Sequence, residues 1–345
     1  MRHALVPLLL ALGLAVPAHA EPMLFTTADY QLLSVAGKDR FEPSSIDISA
    51  DGQTVYAFND KSLDLQPTRW HWDGTSLTPL ESMPLGVAVD KIESSTRVDD
   101  VLWVLTSCSK PPVIYGKNWQ LLAISDPASS EVVEVVDYSI YLHAAVIDFC
   151  HRKHIPWIKF EGLARSPEAG KLLLGVRSYG RPATAEELAA EDFDPHEEFV
   201  VGILELDLID QPGTITEKLW IADTADDDGH TWGLSSLELD PDGSTLWITA
   251  SFEDPGKKRA DVAGRLYEEP LSDLKNYTDD QDLAQFLGVP VALFDTKPEG
   301  LTCLPDGRLL VVFDEDDDRK GGVGATDKFP LTSNQDYYCV IDLNS

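Results

Sequence analysis

Basic residues are scarce in this chain: 27 Lys and Arg stand against 59 Asp and Glu in 345 residues, a formal net charge of −32. A field of that sign repels nucleic acid and anionic membrane surfaces, and it argues against a free phosphorylated substrate. Cations and neutral ligands remain compatible with it. Beyond residue 20 no apolar run approaches the ~20 residues that a membrane-spanning helix needs, so no membrane span is expected. Useful helical periodicity is missing too; the acidic AEELAAEDF at 185–193 suffices for a turn or two inside a loop. There is no nucleophile elbow, P-loop or Gly-rich dinucleotide motif. Cysteines number only four: Cys108, Cys150, Cys303 and Cys339.

The first twenty residues, MRHALVPLLLALGLAVPAHA, are set apart from the rest. Arg2 gives a positive start, an apolar stretch follows, and Ala18-His19-Ala20 is a small-x-small cleavage site. This pattern predicts a signal peptide over 1–20, cut between Ala20 and Glu21, and a periplasmic or secreted protein. In that oxidising setting an even cysteine count reads first as disulfides. Four cysteines allow three connectivities; we expect Cys108–Cys150 and Cys303–Cys339. The competing reading is zinc held by Cys108, Cys150, His151 and His154.

What is present in abundance is one repeated hairpin. SSIDISADGQTVYAFND (44–60), EGLARSPEAGKLLLGVRS (161–178), SSLELDPDGSTLWITAS (235–251) and EGLTCLPDGRLLVVFDE (299–315) share a plan, and ESSTRVDDVLWVLTS (93–107) is a degraded copy. Each opens on a small or acidic pair, runs through an alternating strand, turns tightly and returns along a second apolar strand. Asp51-Gly52, Asp242-Gly243 and Asp306-Gly307 read as two-residue hairpin loops. Each interval leaves room for two more strands, such as 67–73 and 76–83, 199–208 and 215–223, or 265–271 and 290–296. Four-stranded units repeated around an axis are propeller blades. The last unit supplies one outer strand, 336–343, and the stretch at 23–35 offers the other. The expectation is all-β: one propeller over 21–345 with five blades, a sixth being allowed, closed by the N-terminal strand. WHW at Trp70–Trp72 is read as blade-to-blade packing.

With strands A to D counted from the axis outward, the A-to-B turns are tight. The B-to-C connections at 109–117, 178–198, 251–264 and 314–336 are long, as are the D-to-A connections at 139–157 and 222–233. One face is therefore decorated, and binding is expected there. Centring each A–B hairpin on its turn sets Ser44 against Asn59, Glu93 against Thr106, Glu161 against Arg177, Ser235 against Ala250 and Glu299 against Asp314. These pairs should ring the mouth of the axial channel. Glu161 with Arg177 is an ion pair. Glu299 facing Asp314 is a like-charge pair that needs a bound cation, a neighbouring base or a raised pKa. Calcium suits that position, with Glu299, Asp314 and Asp316 as ligands, and a fragment of a calcium loop recurs at Asp226 and Asp228.

The two Glu-Gly-Leu copies at 161–163 and 299–301, the Pro-Asp-Gly-Arg-Leu-Leu-Val-Val turn and the acidic run after it resemble an uncharacterised family of secreted bacterial propeller-like proteins. More distantly the chain is similar to phytase-like esterase propellers. That resemblance implies calcium-assisted phosphoester hydrolysis at Glu161, Glu299 and Asp314, with Lys61, Arg177, Arg319 and Lys320 as the bases nearest the site. The functional expectation is an exported monomer binding a cation and a small ligand, with hydrolysis as its chemistry. The alternative is a non-catalytic propeller that binds a ligand or an envelope partner.

Overall fold

In a computed structural model of the chain, the alternating hairpins become the inner strand pairs of five antiparallel sheets. The structure describes residues 21–343 apart from 27, 36–40, 61–63, 109–118, 126–132, 182–196, 254–261, 279 and 314–334. Blade 1 contains β3 (Pro43–Ile48), β4 (Thr54–Asn59), β5 (Thr68–Trp72) and β6 (Leu77–Pro79); blade 2 contains β7 (Ile92–Val98), β8 (Val101–Thr106), β9 (Leu121–Ser125) and β10 (Val135–Asp137). Blade 3 is β11 (Ile158–Arg165), β12 (Lys171–Gly180), β13 (Glu197–Asp207) and β14 (Thr214–Ile221). Blade 4 is β15 (Gly233–Leu239), β16 (Thr245–Glu253), β17 (Val262–Pro270) and β18 (Ala292–Phe294). Blade 5 takes β19 (Pro298–Cys303), β20 (Leu309–Phe313) and β21 (Gln335–Ile341) from the end of the chain and β2 (Gln31–Ser34) from its beginning. The inner strands touch in the cyclic order β3, β7, β11, β15, β19 and back to β3. The protein is a five-bladed β-propeller.

The N-terminal stretch closes the ring, but as two strands rather than one. Gln31–Ser34 pairs antiparallel with β21, while β1 (Met23–Phe25) pairs parallel with β18 of the preceding blade. Tyr30, at the corner between them, stacks on Phe313 with ring centres 4.4 Å apart and donates to Asp295. The closure thus ties blade 4 to blade 5 as well as completing blade 5.

Successive side chains of a strand point to opposite faces, so consecutive apolar residues such as Leu309–Phe313 cover both faces of a blade, and these meet as five inter-blade layers. One layer sets Ile46, Val55, Trp70 and Trp72 of blade 1 against Leu310, Val312 and Tyr338 of blade 5, with Leu33 and Val35 added by the N-terminal stretch. Trp70 and Trp72 are indeed packing residues; the His71 between them is exposed.

Three expectations need correcting. The connection at 139–157 is not irregular but carries a 15-residue helix, α1 (Ser139–Lys153). Its buried residues Leu142, Ala145, Val146, Phe149 and Cys150 fall at i, i+3, i+4, i+7 and i+8, a helical stripe diluted by alanine and charged neighbours. The Asp-Gly turns are longer than two residues: Leu304 and Arg308 close a loop of Pro305, Asp306 and Gly307, with Gly307 at φ 85°. A turn followed by one left-handed glycine is the three-residue solution, and it moves the register of blade 5 by one, whereas blades 1 and 4 keep the centred register with Ile48 opposite Val55 and Leu239 opposite Leu246. Finally, all four cysteines are thiols. Cys303 and Cys339 lie on β19 and β21 with β20 between them, about two strand spacings apart, which exceeds the reach of a disulfide. Cys108 and Cys150 share one apolar layer without being bonded. His151 and His154 are exposed while Cys150 is buried, so the proposed zinc ligands do not gather.

Candidate functional site at the upper mouth of the channel

Each inner strand carries one β-bulge, and it falls at the same place in all five. Pairing skips from Pro43 to Ser45, Ile92 to Ser94, Phe160 to Gly162, Leu234 to Ser236 and Pro298 to Gly300. The extra residues are therefore Ser44, Glu93, Glu161, Ser235 and Glu299, the first residue of each sequence repeat. A bulge leaves its residue unpaired and re-aims the side chain. All five are buried, three of them glutamates.

The next residue along is always small: Ser45, Ser94, Gly162, Ser236 or Gly300. A Cβ on Gly300 would lie 2.8 Å from the Ile46 nitrogen, so adjacent inner strands approach too closely for anything larger. On every inner strand the bulged residue comes immediately before this small one. Five bulges in register set five re-aimed side chains at the starts of the inner strands.

The glutamates do not sit there unaccompanied. Two residues before each comes a lysine: Lys91-Ile92-Glu93, Lys159-Phe160-Glu161 and Lys297-Pro298-Glu299. Lys91 Nζ is 3.2 Å from Glu93 and 3.9 Å from Asp60. Lys159 and Lys297 form close ion pairs with Glu161 and Glu299. Lys91 takes the left-handed backbone, φ 54°, which is costly for a residue with a Cβ and marks a local constraint. The lysine side chains keep partial access to solvent while the carboxylates are almost fully covered, so an entering ligand meets amines first.

Arg177 joins blades 3 and 4 at this ring. Its Nη1 lies 3.1 Å from Glu161 Oε2 and donates to Ser235 Oγ at 3.2 Å and Ser251 Oγ at 2.9 Å. The two serines are themselves 2.5 Å apart. The guanidinium also lies over the Phe199 ring. On the far side, Ser44 Oγ donates to the Ile92 carbonyl and links blades 1 and 2.

Electrostatics separates the three glutamates. Burial pushes Glu299 up to about 8; Lys297 opposes the shift, and Glu161 adds to it. Burial also pushes Glu161 up, but Arg177, Lys159 and Lys297 together outweigh it and hold that group at about 2. Glu93 is raised, by burial against the pull of Lys159 and Lys91. A protonated Glu299 near an ionised Glu161 is the arrangement that separates an acid from a base.

The sequence-predicted residues fare unevenly. The Glu161–Arg177 ion pair is present. Glu299 has no partner on β20, since Pro298 pairs with Phe313 and Gly300 with Val312; Asp314, expected opposite it, lies outside the described residues. What relieves Glu299 is a neighbouring base, Lys297, together with its raised pKa. Lys61, Asp314, Asp316, Arg319 and Lys320 lie outside the described residues. A repeat that begins at the glutamate passes over Lys91, Lys159 and Lys297. A Lys-x-Glu motif at three blade starts was the available signal.

Calcium finds poor ligands among the described residues. Asp226, Asp228 and His230 are the one trio whose ligand atoms come within 4.8 Å of each other. Asp226 Oδ1 accepts from the backbone of Asp228 and His230, and Oδ2 from Trp232 and Arg265. Both oxygens are thus engaged in holding a loop, and an imidazole nitrogen is foreign to a calcium shell. These residues do not fit that ion. No helix among the described residues is long and apolar enough to cross a membrane.

No family model and no curated protein matches this chain. Among solved structures it is similar to the PQQ domain of a pyranose dehydrogenase from Coprinopsis cinerea, with 10% identity, TM-score 0.42 and coverage of 93% of this chain and 99% of that one. A candidate 6-phosphogluconolactonase from Bacteroides fragilis matches with 14% identity, TM-score 0.41 and coverage of 92% and 99%. Another from Bacteroides uniformis matches with 12% identity, TM-score 0.38 and coverage of 87% and 88%. Likeness at this level carries nothing about activity, and the architecture rests on the strand pairing above.

Proposed function

We propose that this protein is an exported, monomeric propeller that takes a small anionic ligand at the upper mouth of its channel. The observation that carries the reading is the convergence of Lys91, Lys159 and Lys297 from three blades above buried carboxylates. In a chain with so few bases, three amines at one axis are a concentrated feature. Anchoring each lysine on a glutamate two residues on lowers the entropy lost when it engages a ligand. Calorimetric titration with inorganic phosphate and with citrate tests this. Saturable binding of either should weaken at least tenfold in Lys159→Met/Lys297→Met; binding that ignores both substitutions refutes it.

A second reading, hydrolysis of an ester or phosphoester at this mouth, is favoured by the opposed shifts of Glu299 and Glu161. Glu299 would donate a proton to the leaving group and Glu161 would orient or activate water. Turnover of p-nitrophenyl phosphate or acetate should then fall at least a hundredfold in Glu299→Gln and decline above pH 8. Ligand binding without turnover of either ester leaves the non-catalytic binding protein.

A further inference from the structure

The inner strands converge a second time at the opposite mouth of the channel. There a cavity of about 250 Å³ is lined by Asp47, Arg97, Arg165, Glu238, Thr302 and Cys303, so that all five blades contribute. It shares no residue with the lysine–glutamate ring, which lies at the other ends of the same inner strands.

Two guanidiniums are held in place here by backbone carbonyls. Arg97 donates from Nε to the Ile48 carbonyl at 2.8 Å and from Nη1 to the Asp99 carbonyl at 2.9 Å. Arg165 donates from Nη2 to the Asp240 carbonyl. A guanidinium carries five N–H donors, so most of those on both arginines make no hydrogen bond among the described residues. Such planar, pre-oriented donors match a carboxylate.

Three carboxyl groups share the cavity with them: Asp47 and Glu238, and at its edge the exposed Asp99. Asp47 is 3% exposed, and its Oδ1 accepts from the Ile48 amide at 2.6 Å. Glu238 is raised well above the usual range, by burial first and by Asp47 second. A simple dianion such as phosphate would meet Asp47 at close quarters. A simple amine would meet the arginines. The ligand that suits both walls carries a carboxylate and, within a few ångströms of it, an amine or hydroxyl. The volume is below the usual range for drug-sized ligands, which keeps the occupant small.

We propose that the lower cavity binds a small α-substituted carboxylic acid, an amino or hydroxy acid. Its carboxylate lies on Arg97 and Arg165, and its α-substituent is directed to Asp47 and Glu238. This site is independent of the upper mouth, and its walls consist entirely of described residues.

The test is calorimetric titration of the mature chain with L-serine and L-lactate, using acetate and methylamine as single-function controls. Serine or lactate should bind saturably, at least tenfold more tightly than either control. Preference for serine assigns an amine to the Asp47 wall, and preference for lactate a hydroxyl. Arg165→Lys keeps the charge but loses the fork, and should weaken binding at least fivefold. Cys303→Leu should block the cavity sterically while leaving both arginines in place, which separates loss of the site from loss of the fold. The proposal is overturned if neither compound binds, if binding survives both substitutions, or if it is lost in Lys297→Met, which would place the ligand at the upper ring.

Discussion

Glutamine in place of Glu299 should change how stability depends on pH more than it changes stability itself. In the unfolded chain a glutamate titrates near ~4.3; in the fold burial raises Glu299 to about 8. Between those values the native state holds a proton that the unfolded state has released, so stability falls as pH rises. One proton contributes at most about 1.4 kcal/mol per pH unit, or about 5 kcal/mol across the whole window. Because Glu161 and Lys297 share the titration, about 1 kcal/mol per unit is the realistic slope. Glu299→Gln removes this group, so its advantage over the parent should grow steadily from pH 5 to pH 8. Urea unfolding of both proteins at pH 5, 6, 7 and 8 measures the difference, in which other raised groups such as Glu93 and Glu269 cancel. Glu161 behaves oppositely. Its folded pKa of about 2 means that its contribution is present above the unfolded value and lost on acidification, so Glu161→Gln should differ most from the parent above pH 5. Parallel profiles for the parent and Glu299→Gln would refute the assignment of a buried proton to this site.

Deleting residues 21–35 removes Tyr30, Leu33 and Val35 from inter-blade layers. At about 1.5–3 kcal/mol per buried apolar side chain the loss rivals the stability of a whole domain, and calorimetry should show one cooperative transition shifted down or abolished; unchanged melting would count against ring closure. Gly300→Ala places a Cβ 2.8 Å from the Ile46 nitrogen and 2.9 Å from the Ser45 carbonyl carbon. Overpacking against backbone should cost about 1–3 kcal/mol, visible as a lower urea midpoint, and a midpoint equal to the parent's would mean that the inner strands are not that tightly opposed.

The fold was legible because its information is local and repeated. Five hairpins with the same opening pair, turn and return strand leave little freedom once each is followed by space for two more strands, and a missing strand at one end with a spare at the other predicts closure. The turn of blade 5 shifts the register by one residue: an Asp-Gly pair is compatible with two-, three- and four-residue loops, and only the pairing of Leu304 with Arg308 decides which. The bulges could not be foreseen from alternation alone, since a bulge breaks the very period used to align the strands. Helix α1 was hidden for another reason. Its buried stripe includes Ala145 and Cys150, which barely raise a hydrophobic count, and its exposed face keeps Ile140 and Tyr141.

Net charge says little about a local site. A value of −32 suggests repulsion of any anion, but at physiological salt a charge acts over about 8 Å. What a ligand experiences at the upper mouth is set by the groups within that distance. Among the described residues there, Lys91, Lys159, Lys297 and Arg177 stand against Asp60 and the three bulged glutamates, of which Glu299 retains its proton near neutrality. These groups are close to balanced, while the chain as a whole is strongly acidic. Bulging matters to that balance. It turns three carboxylates inward, where burial works against their ionisation, and leaves their lysine partners nearer to solvent. An anion arriving there can compete with a carboxylate for its ammonium, and the carboxylate can accept a proton in exchange. Binding of an anion should on this account be coupled to proton uptake by the buried glutamates, a linkage that total charge could never have revealed.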